Sequence, residues 1–368
     1  MTDITGPYSP LKILHHPGRL YELRHGRQCV PSQVQLVISD LCNHACSFCA
    51  YRMPGYDSNE LFKIIREDGT ANNNPNRQIP TERAIEIIDD CRDMGVGAIQ
   101  FTGGGEPTVH RDHHRIFIHA LDRKIQVALV TNGDRLTRHL IERLSDAAWV
   151  RVSLDAGTSI TYSQIRRIHH MHFDRVLKNI ESLARSRDYY ETSMQLGVGF
   201  VVTAQNWHEV LAAASLARRC GANNFRISGV FTPDNFAYHA PFAQDAAELC
   251  AEAEQLSTDN FQVINLYHDR LDDLQNAAPD YRKCGYMHFN TYIGGDLNVY
   301  TCCNNAYHPR GLIGSLQAQT FRQLWESDAK TEMFRNFDAR NCPRCMFNAQ
   351  NRIINYATDP SPRHANFV

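Results

Sequence analysis

The sequence predicts an α/β protein built on a parallel sheet with helices outside it, and three observations carry that reading. Six strand-then-helix repeats follow one another between residue 33 and residue 230. A loop holding three cysteines closes the first strand, and a second cysteine set lies beyond the last repeat. Repeats of about 30 residues, in which extended and helical periodicities alternate, suit parallel strands joined by crossover helices. Six units are fewer than the eight of a closed barrel.

The chain has 368 residues, enough for one large domain and a smaller one. With 38 Lys+Arg against 40 Asp+Glu, nothing global points to nucleic acid or a membrane surface. Twelve cysteines without a secretory signal indicate a reducing compartment and metal or redox use. No run of about 18 apolar residues is present, so no membrane helix is expected and the protein reads as cytoplasmic.

Residues 1–32 form a Pro-punctuated leader. Gln33 to Ser39 alternates and then turns apolar, as a strand does, and delivers Cys42, Cys46 and Cys49 at its carboxyl end. Three soft thiolates spaced C-x3-C-x2-C can hold three irons of a cubane and leave the fourth without a protein ligand. A structural zinc would want four ligands. The long connection 53–79, with its Asn72-Asn73-Asn74 run, reads as a lid or substrate-contacting insert.

A helix is expected from Pro80-Thr81, capped by Thr81 and ended by Gly95 and Gly97, with Cys91 on its apolar stripe as a core residue. The strand Ala98 to Thr102 runs into Gly103-Gly104-Gly105-Glu106. Such a turn lets backbone groups approach a ligand closely, and Glu106 can orient it or take a charge. Next come a helix (His113 to Arg123), a strand ending at Asn132 (Gln126 to Thr131), a helix (Asp134 to Leu144) and a strand (Trp149 to Leu154). That strand ends in Ser153 and Asp155, which would face the mouth and suit ribose hydroxyls. Helices are expected at Phe173 to Ala184 and Trp207 to Arg218, and strands at Leu196 to Thr203 and Asn224 to Val230. The tract His169-His170-Met171-His172 reads as loop or exposed face, since no further ligand is evident nearby.

From 236 to 279 the rhythm weakens into linking helices around a short strand-like piece, Phe261 to Leu266. A hairpin signal at Gly294-Gly295-Asp296 then separates Phe289 to Ile293 from Leu297 to Thr301. Cys284, Cys302, Cys342 and Cys345 make a four-thiolate set that suits zinc or a fully ligated iron–sulfur cluster; on the residues alone zinc is the commoner choice. Cys303 is left over as an alternative ligand, a hydrogen-atom donor or an inert thiol. Residues 346–368 read as a partly ordered tail able to cover that site.

C-x3-C-x2-C with an aromatic residue, Phe48, before the third cysteine resembles the radical S-adenosylmethionine enzymes. The GGGE turn and the S-x-D strand end strengthen the likeness, and the second cysteine set resembles the family's twitch or SPASM extension. The resemblance implies a partial (β/α)6 TIM-like barrel over 33–235 and an auxiliary cluster domain over 280–345. It implies that Cys42, Cys46 and Cys49 bind a [4Fe–4S] cluster whose open iron chelates S-adenosylmethionine. Phe48 would lie against the adenine, Gly104, Gly105 and Glu106 would serve the methionyl amine, and Ser153, Asp155 and Asn132 would line the cofactor site. Arg166 would bind the cofactor carboxylate, with Arg167 as its competitor. The zinc preference is reversed: Cys284, Cys302, Cys342 and Cys345 would hold one auxiliary [4Fe–4S] cluster, since no cysteine follows Cys345.

The implied activity is reductive cleavage of S-adenosylmethionine to a radical that takes hydrogen from a substrate, fed by an electron donor such as flavodoxin or ferredoxin. A small molecule, a peptide or a nucleoside stays open as substrate; the short stretch before the barrel leaves no room for a leader-peptide-binding domain and weakens the peptide reading. A non-catalytic metal-binding or electron-transfer protein would explain seven cysteines, but neither the GGGE turn nor the S-x-D strand end.

Overall fold

The computed structural model describes residues 6–56, 60–276 and 278–363. In chain order its strands are β1 (Gln33–Leu36), β2 (Ile64–Ile65), β3 (Ala71–Asn72), β4 (Ala98–Phe101), β5 (Gln126–Thr131), β6 (Trp149–Ser153), β7 (Gln195–Val202), β8 (Asn224–Gly229), β9 (Gln262–Asn265), β10 (Asn290–Ile293), β11 (Asn298–Tyr300) and β12 (Leu312–Ser315). The helices are α1 (Pro17–Arg24), α2 (Thr81–Met94), α3 (His113–Asp122), α4 (Arg138–Leu144), α5 (Ser159–Arg166), α6 (Met171–Tyr189), α7 (Val210–Arg219), α8 (Phe236–His239), α9 (Ala243–Glu254), α10 (Tyr267–Gln275), α11 (Phe321–Trp325), α12 (Asp328–Asn336) and α13 (Asn348–Ala357).

One mixed sheet runs in the order β12-β11-β10-β1-β4-β5-β6-β7-β8-β9, and β2 pairs only with β3. All pairings from β10 to β9 are parallel, while β11 and β12 join antiparallel at one edge. The arrangement is the expected open parallel sheet with two findings added. The short strand-like piece expected at Phe261 to Leu266 is β9, and it joins the main sheet by hydrogen-bonding to β8. The hairpin of the second cysteine set continues the same sheet, with β10 lying against β1.

Alternation explains why these strands curl around a polar interior. Val34, Leu36, Ile99, Phe101, Val150, Val152, Phe225 and Ile227 point outward and are buried under the helices. Between them Gln33, Gln35, Gln100, Arg151 and Arg226 point inward and keep partial solvent access. Helix α2 answers with Ala84, Ile87, Ile88 and Cys91 on one face, all buried. Fully burying such a side chain is worth about 1.5–3 kcal/mol, so this outer seam holds the helices onto the sheet.

Several boundaries move for identifiable reasons. Pro80, not Thr81, is the N-cap of α2 and gives no side-chain cap; the Thr81 hydroxyl donates to Asp112 instead. Helix α4 begins at Arg138 because Thr137 caps it, accepting from the Leu140 amide at 3.3 Å, whereas Asp134 is drawn away to other partners. The order in the carboxyl-terminal stretch comes from helix α13, with Asn351 and Ile354 buried.

Candidate active site

The three-cysteine loop leaves β1 at the carboxyl end of the sheet and is tied down on both sides. The Ala45 and Ser47 amides donate to the carbonyls of Arg166 and Ile165 at 3.1 and 2.9 Å, stitching the loop to the end of α5. Asn74, from the Asn-rich run, brackets Cys42: its Oδ1 accepts from the Cys42 amide at 3.0 Å and its Nδ2 donates to the Cys42 carbonyl at 3.1 Å. Arg52 donates to Cys49 Sγ at 3.4 Å, and Arg166 donates to Cys46 Sγ at 3.4 Å. The connection 53–79 is therefore a packed insert with Phe62 buried, and its residues 57–59 lie outside those described.

The GGGE turn closes directly over this loop. The Gly105 and Glu106 amides donate to the carbonyls of Ser39 and Leu41 at 3.1 and 2.9 Å. A Cβ at Gly105 would stand 2.2 Å from the Leu41 carbonyl oxygen, so only glycine permits this approach. Glu106 is buried and already served: one oxygen accepts from the Thr108 amide and the Thr108 and Thr131 hydroxyls, the other from the Asn132 amide at 2.7 Å. These bonds orient the turn, with Gly103, Gly104, Gly105 and Glu106 all lining the cavity. Asn132 is likewise engaged, its Nδ2 donating to Asn43 at 2.8 Å.

Asp155, expected to face the ribose, lines the cavity and is also held from within the protein. It sits at φ 59°, with one oxygen accepting from the Val201 amide at 2.7 Å and the other from Arg166. Burial pushes its pKa up, and the Arg166 guanidinium opposes that. Arg166 also donates to the Ser153 carbonyl at 2.7 Å, while its Nε has no partner. Of the two candidates, Arg166 is buried and Arg167 faces out in the left-handed conformation. The histidine tract divides: His169 and His170 are exposed as expected, but His172 reaches Asp134 at 2.7 Å beside His44. His44, Asp134 and His172 thus form a cluster beneath the cysteine loop that the sequence reading missed.

Every residue expected on the cofactor side, Cys42, Cys46, Phe48, Cys49, Gly104, Gly105, Glu106, Asn132, Ser153, Asp155 and Arg166, lines one cavity of about 410 Å³. Its far wall comes from residues the sequence reading did not assign, including Tyr56, Arg226, Phe231, Arg270 and Met346, together with the unassigned thiol of Cys303. The cavity therefore extends from the three-cysteine loop to Cys303 and Met346, chain neighbours of the second cysteine set.

Two observations test the cysteine sets against iron–sulfur clusters. Burial pushes the Cys42 and Cys284 thiols up to about 12, so a nearby cation is needed to keep them as thiolates. All seven thiols of the two sets are free of disulfide bonds, so each site has its soft donors available. Soft thiolate donors in sets of three and four suit iron–sulfur clusters. Around the second set, Asn305 donates to Cys342 Sγ at 3.3 Å, Phe347 donates through its amide to Cys345 Sγ at 3.3 Å, and Tyr281 donates to the same sulfur at 3.5 Å.

The fold and site define an enzyme of the radical S-adenosylmethionine class. Residues 36–217 match the Radical SAM superfamily and residues 284–346 match the SPASM iron–sulfur cluster-binding domain. The chain is 32% identical over 284 residues to mycofactocin maturase MftC of Mycolicibacterium smegmatis, covering 73% of this chain and 68% of the relative. It is 23% identical to AdoMet-dependent heme synthase of Methanosarcina barkeri, covering 71% and 76%. The structure of Streptococcus suis SuiB bound to precursor peptide SuiA superposes with a TM-score of 0.60 at 14% identity, over 90% of this chain and 73% of that one. The chain belongs to the radical SAM superfamily. Its cofactors are S-adenosylmethionine, the [4Fe–4S] cluster that binds it, and an auxiliary iron–sulfur cluster. When bound, they supply reductive cleavage to a 5′-deoxyadenosyl radical that takes hydrogen from a substrate.

Proposed function

We propose that this enzyme modifies a peptide held in the 410 Å³ cavity between its two cysteine sets. Cys42, Cys46 and Cys49 hold the cofactor-binding cluster, and Cys284, Cys302, Cys342 and Cys345 hold the auxiliary one. Gly104 and Gly105 present backbone to the methionyl end of the cofactor, Phe48 flanks its adenine, and Ser153 lines its ribose side. Glu106, Asn132 and Asp155 position these groups, each through the protein partners already described. Arg166 pins the cysteine loop to the end of β6 and, lining the cavity, supplies the guanidinium for the cofactor carboxylate. The chain divides into the barrel at 33–235, linking elements at 236–279 and the auxiliary unit at 280–345.

The single observation that carries this reading is the shared cavity: residues of the cofactor loop and of the SPASM unit, Cys303 and Met346, face the same space. A substrate there would touch both halves of the protein. The peptide class is supported by the fold shared with SuiB, which was solved with a precursor peptide bound. Among the described residues no helix is long and apolar enough to cross a membrane. A cytoplasmic location, with flavodoxin or ferredoxin as the electron donor, suits the unpaired cysteines.

The test is anaerobic incubation of the reconstituted enzyme with S-adenosylmethionine, dithionite and short peptides encoded beside its gene. Peptide-dependent 5′-deoxyadenosine release with a mass change in the peptide supports the reading. Release that only non-peptide molecules stimulate refutes it.

A further inference from the structure

Two arginines on the far wall of the cavity each keep an Nε without a protein partner. Four arginines line the cavity: Arg52, Arg166, Arg226 and Arg270. Arg52 is occupied by the Asn73 carbonyl, Asn74 and Cys49, and Arg166 by Asp155, Ser153 and Cys46. The two lining carboxylates, Glu106 and Asp155, are taken by the donors described above.

Arg226 and Arg270 remain. Arg270 is only 8% exposed, with its guanidinium 4.2 Å from the centre of the Phe231 ring. Asp273 takes its Nη1 end at 3.3 Å, and its Nε has no hydrogen-bond partner. Arg226 stands on β8 above the Tyr8 ring at 5.0 Å, and its Nε is also without a partner. Burial, with Arg151 and Arg270 nearby, pushes Arg226 down to about 9. Buried guanidinium edges left unmatched in a cavity are costly unless an anion arrives to pair with them. The Nε edge of arginine matches a planar carboxylate through two parallel bonds. Phe231, Tyr56 and Met346 line the same cavity, so the carboxylate would be carried beside an apolar group.

We propose that Arg270, with Arg226 behind it, is the anchor for a carboxylate of the substrate. The proposal rests on the peptide reading for the molecule's class, but the anchor itself needs only the carboxylate. In a peptide that group is either the chain's own carboxyl terminus or an acidic side chain.

The experiment uses the reconstituted holoenzyme with S-adenosylmethionine and no reductant, so that binding is read without turnover. Dissociation constants are measured by calorimetry for four probes: N-acetyl-Ala-Phe, its C-terminal amide, N-acetyl-Glu-Phe amide and 3-phenylpropionate. A carboxylate-bearing probe should bind about tenfold or more tightly than the neutral amide. Arg270→Gln should erase that preference, and Arg270→Lys should keep part of it. Whichever acidic peptide binds more tightly names the source of the carboxylate. Equal binding of acid and amide by the unaltered enzyme overturns the anchor while leaving the peptide reading intact. So does binding by none of the carboxylate probes, or a preference that survives Arg270→Gln. A tenfold loss of S-adenosylmethionine affinity in Arg270→Gln, with probe preference unchanged, would assign the residue to the cofactor and also overturn it. Arg270-dependent binding of 3-phenylpropionate with no peptide bound supports the anchor and refutes the peptide reading.

Discussion

The guanidinium of Arg166 lies 3.4 Å from Cys46 Sγ although 120 residues separate them, and the same side chain pairs with Asp155. One buried cation thus links the cysteine loop after β1, the end of β6 and the last turn of α5. Breaking a buried pair by removing one partner strands a charge and costs about 3–5 kcal/mol. Arg166→Gln should therefore lower stability by roughly that amount. Arg166→Gln combined with Asp155→Asn should recover part of it, as read from denaturant midpoints across the double-mutant cycle. Strictly additive losses would show that the pair is not coupled.

The cysteines should separate by iron content. Two cubanes give about eight irons per chain. Cys42→Ala, Cys46→Ala or Cys49→Ala should leave about four and abolish 5′-deoxyadenosine formation. Cys302→Ala or Cys345→Ala should also remove about four, from the other site. Cys303→Ser should retain about eight, because its thiol faces the cavity and Met346 rather than completing either set.

Gly105→Ala should act on the site through the loop beneath it. The new Cβ would meet backbone atoms of Asp40 and Leu41 at 2.2–2.5 Å, which no rotamer change can relieve. Overpacking of this kind costs about 1–3 kcal/mol. Weaker S-adenosylmethionine binding should accompany the loss of stability, measured by equilibrium dialysis; an unchanged affinity would mean the turn does not shape the cofactor site.

His288 should make stability depend on pH. Burial and the nearby Lys330 push its pKa down to about 4. The folded chain therefore binds fewer protons than the unfolded one between about pH 4 and the unperturbed histidine value near 6.5, and stability falls as pH drops through that window. From pH 7 to pH 5 this contribution falls by about 2 kcal/mol. Denaturant titrations of His288→Phe over the same range should show a correspondingly flatter slope.

The strand–helix rhythm and the cofactor-side motifs were legible because each is local. Hydrophobic period, a glycine run and closely spaced cysteines are all carried within one stretch of chain. What was not legible joins distant segments. Tyr307 donates to the buried carboxylate of Asp40 across 267 residues, and Arg77 holds the other oxygen at 2.8 Å. This contact ties the base of the cysteine loop to the SPASM unit. Asn74 looked like one of a polar run, and its grip on Cys42 has no period to betray it. Arg270 sits on a short helix whose pattern says only that it is amphipathic.

By itself the sequence determined the chemistry on offer: three thiolates with one iron to spare, a turn only glycine can make, and repeats whose apolar faces must bury against helices. Tertiary structure alone decided which side chains stay available to a ligand. Glu106 and Asp155 were engaged by backbone amides, hydroxyls and Arg166, while Arg226 and Arg270, which line the cavity, kept a buried Nε without a protein partner. The physical reason is that a polar group's availability depends on what else reaches it after burial, and those partners come from strands and loops far away in the chain.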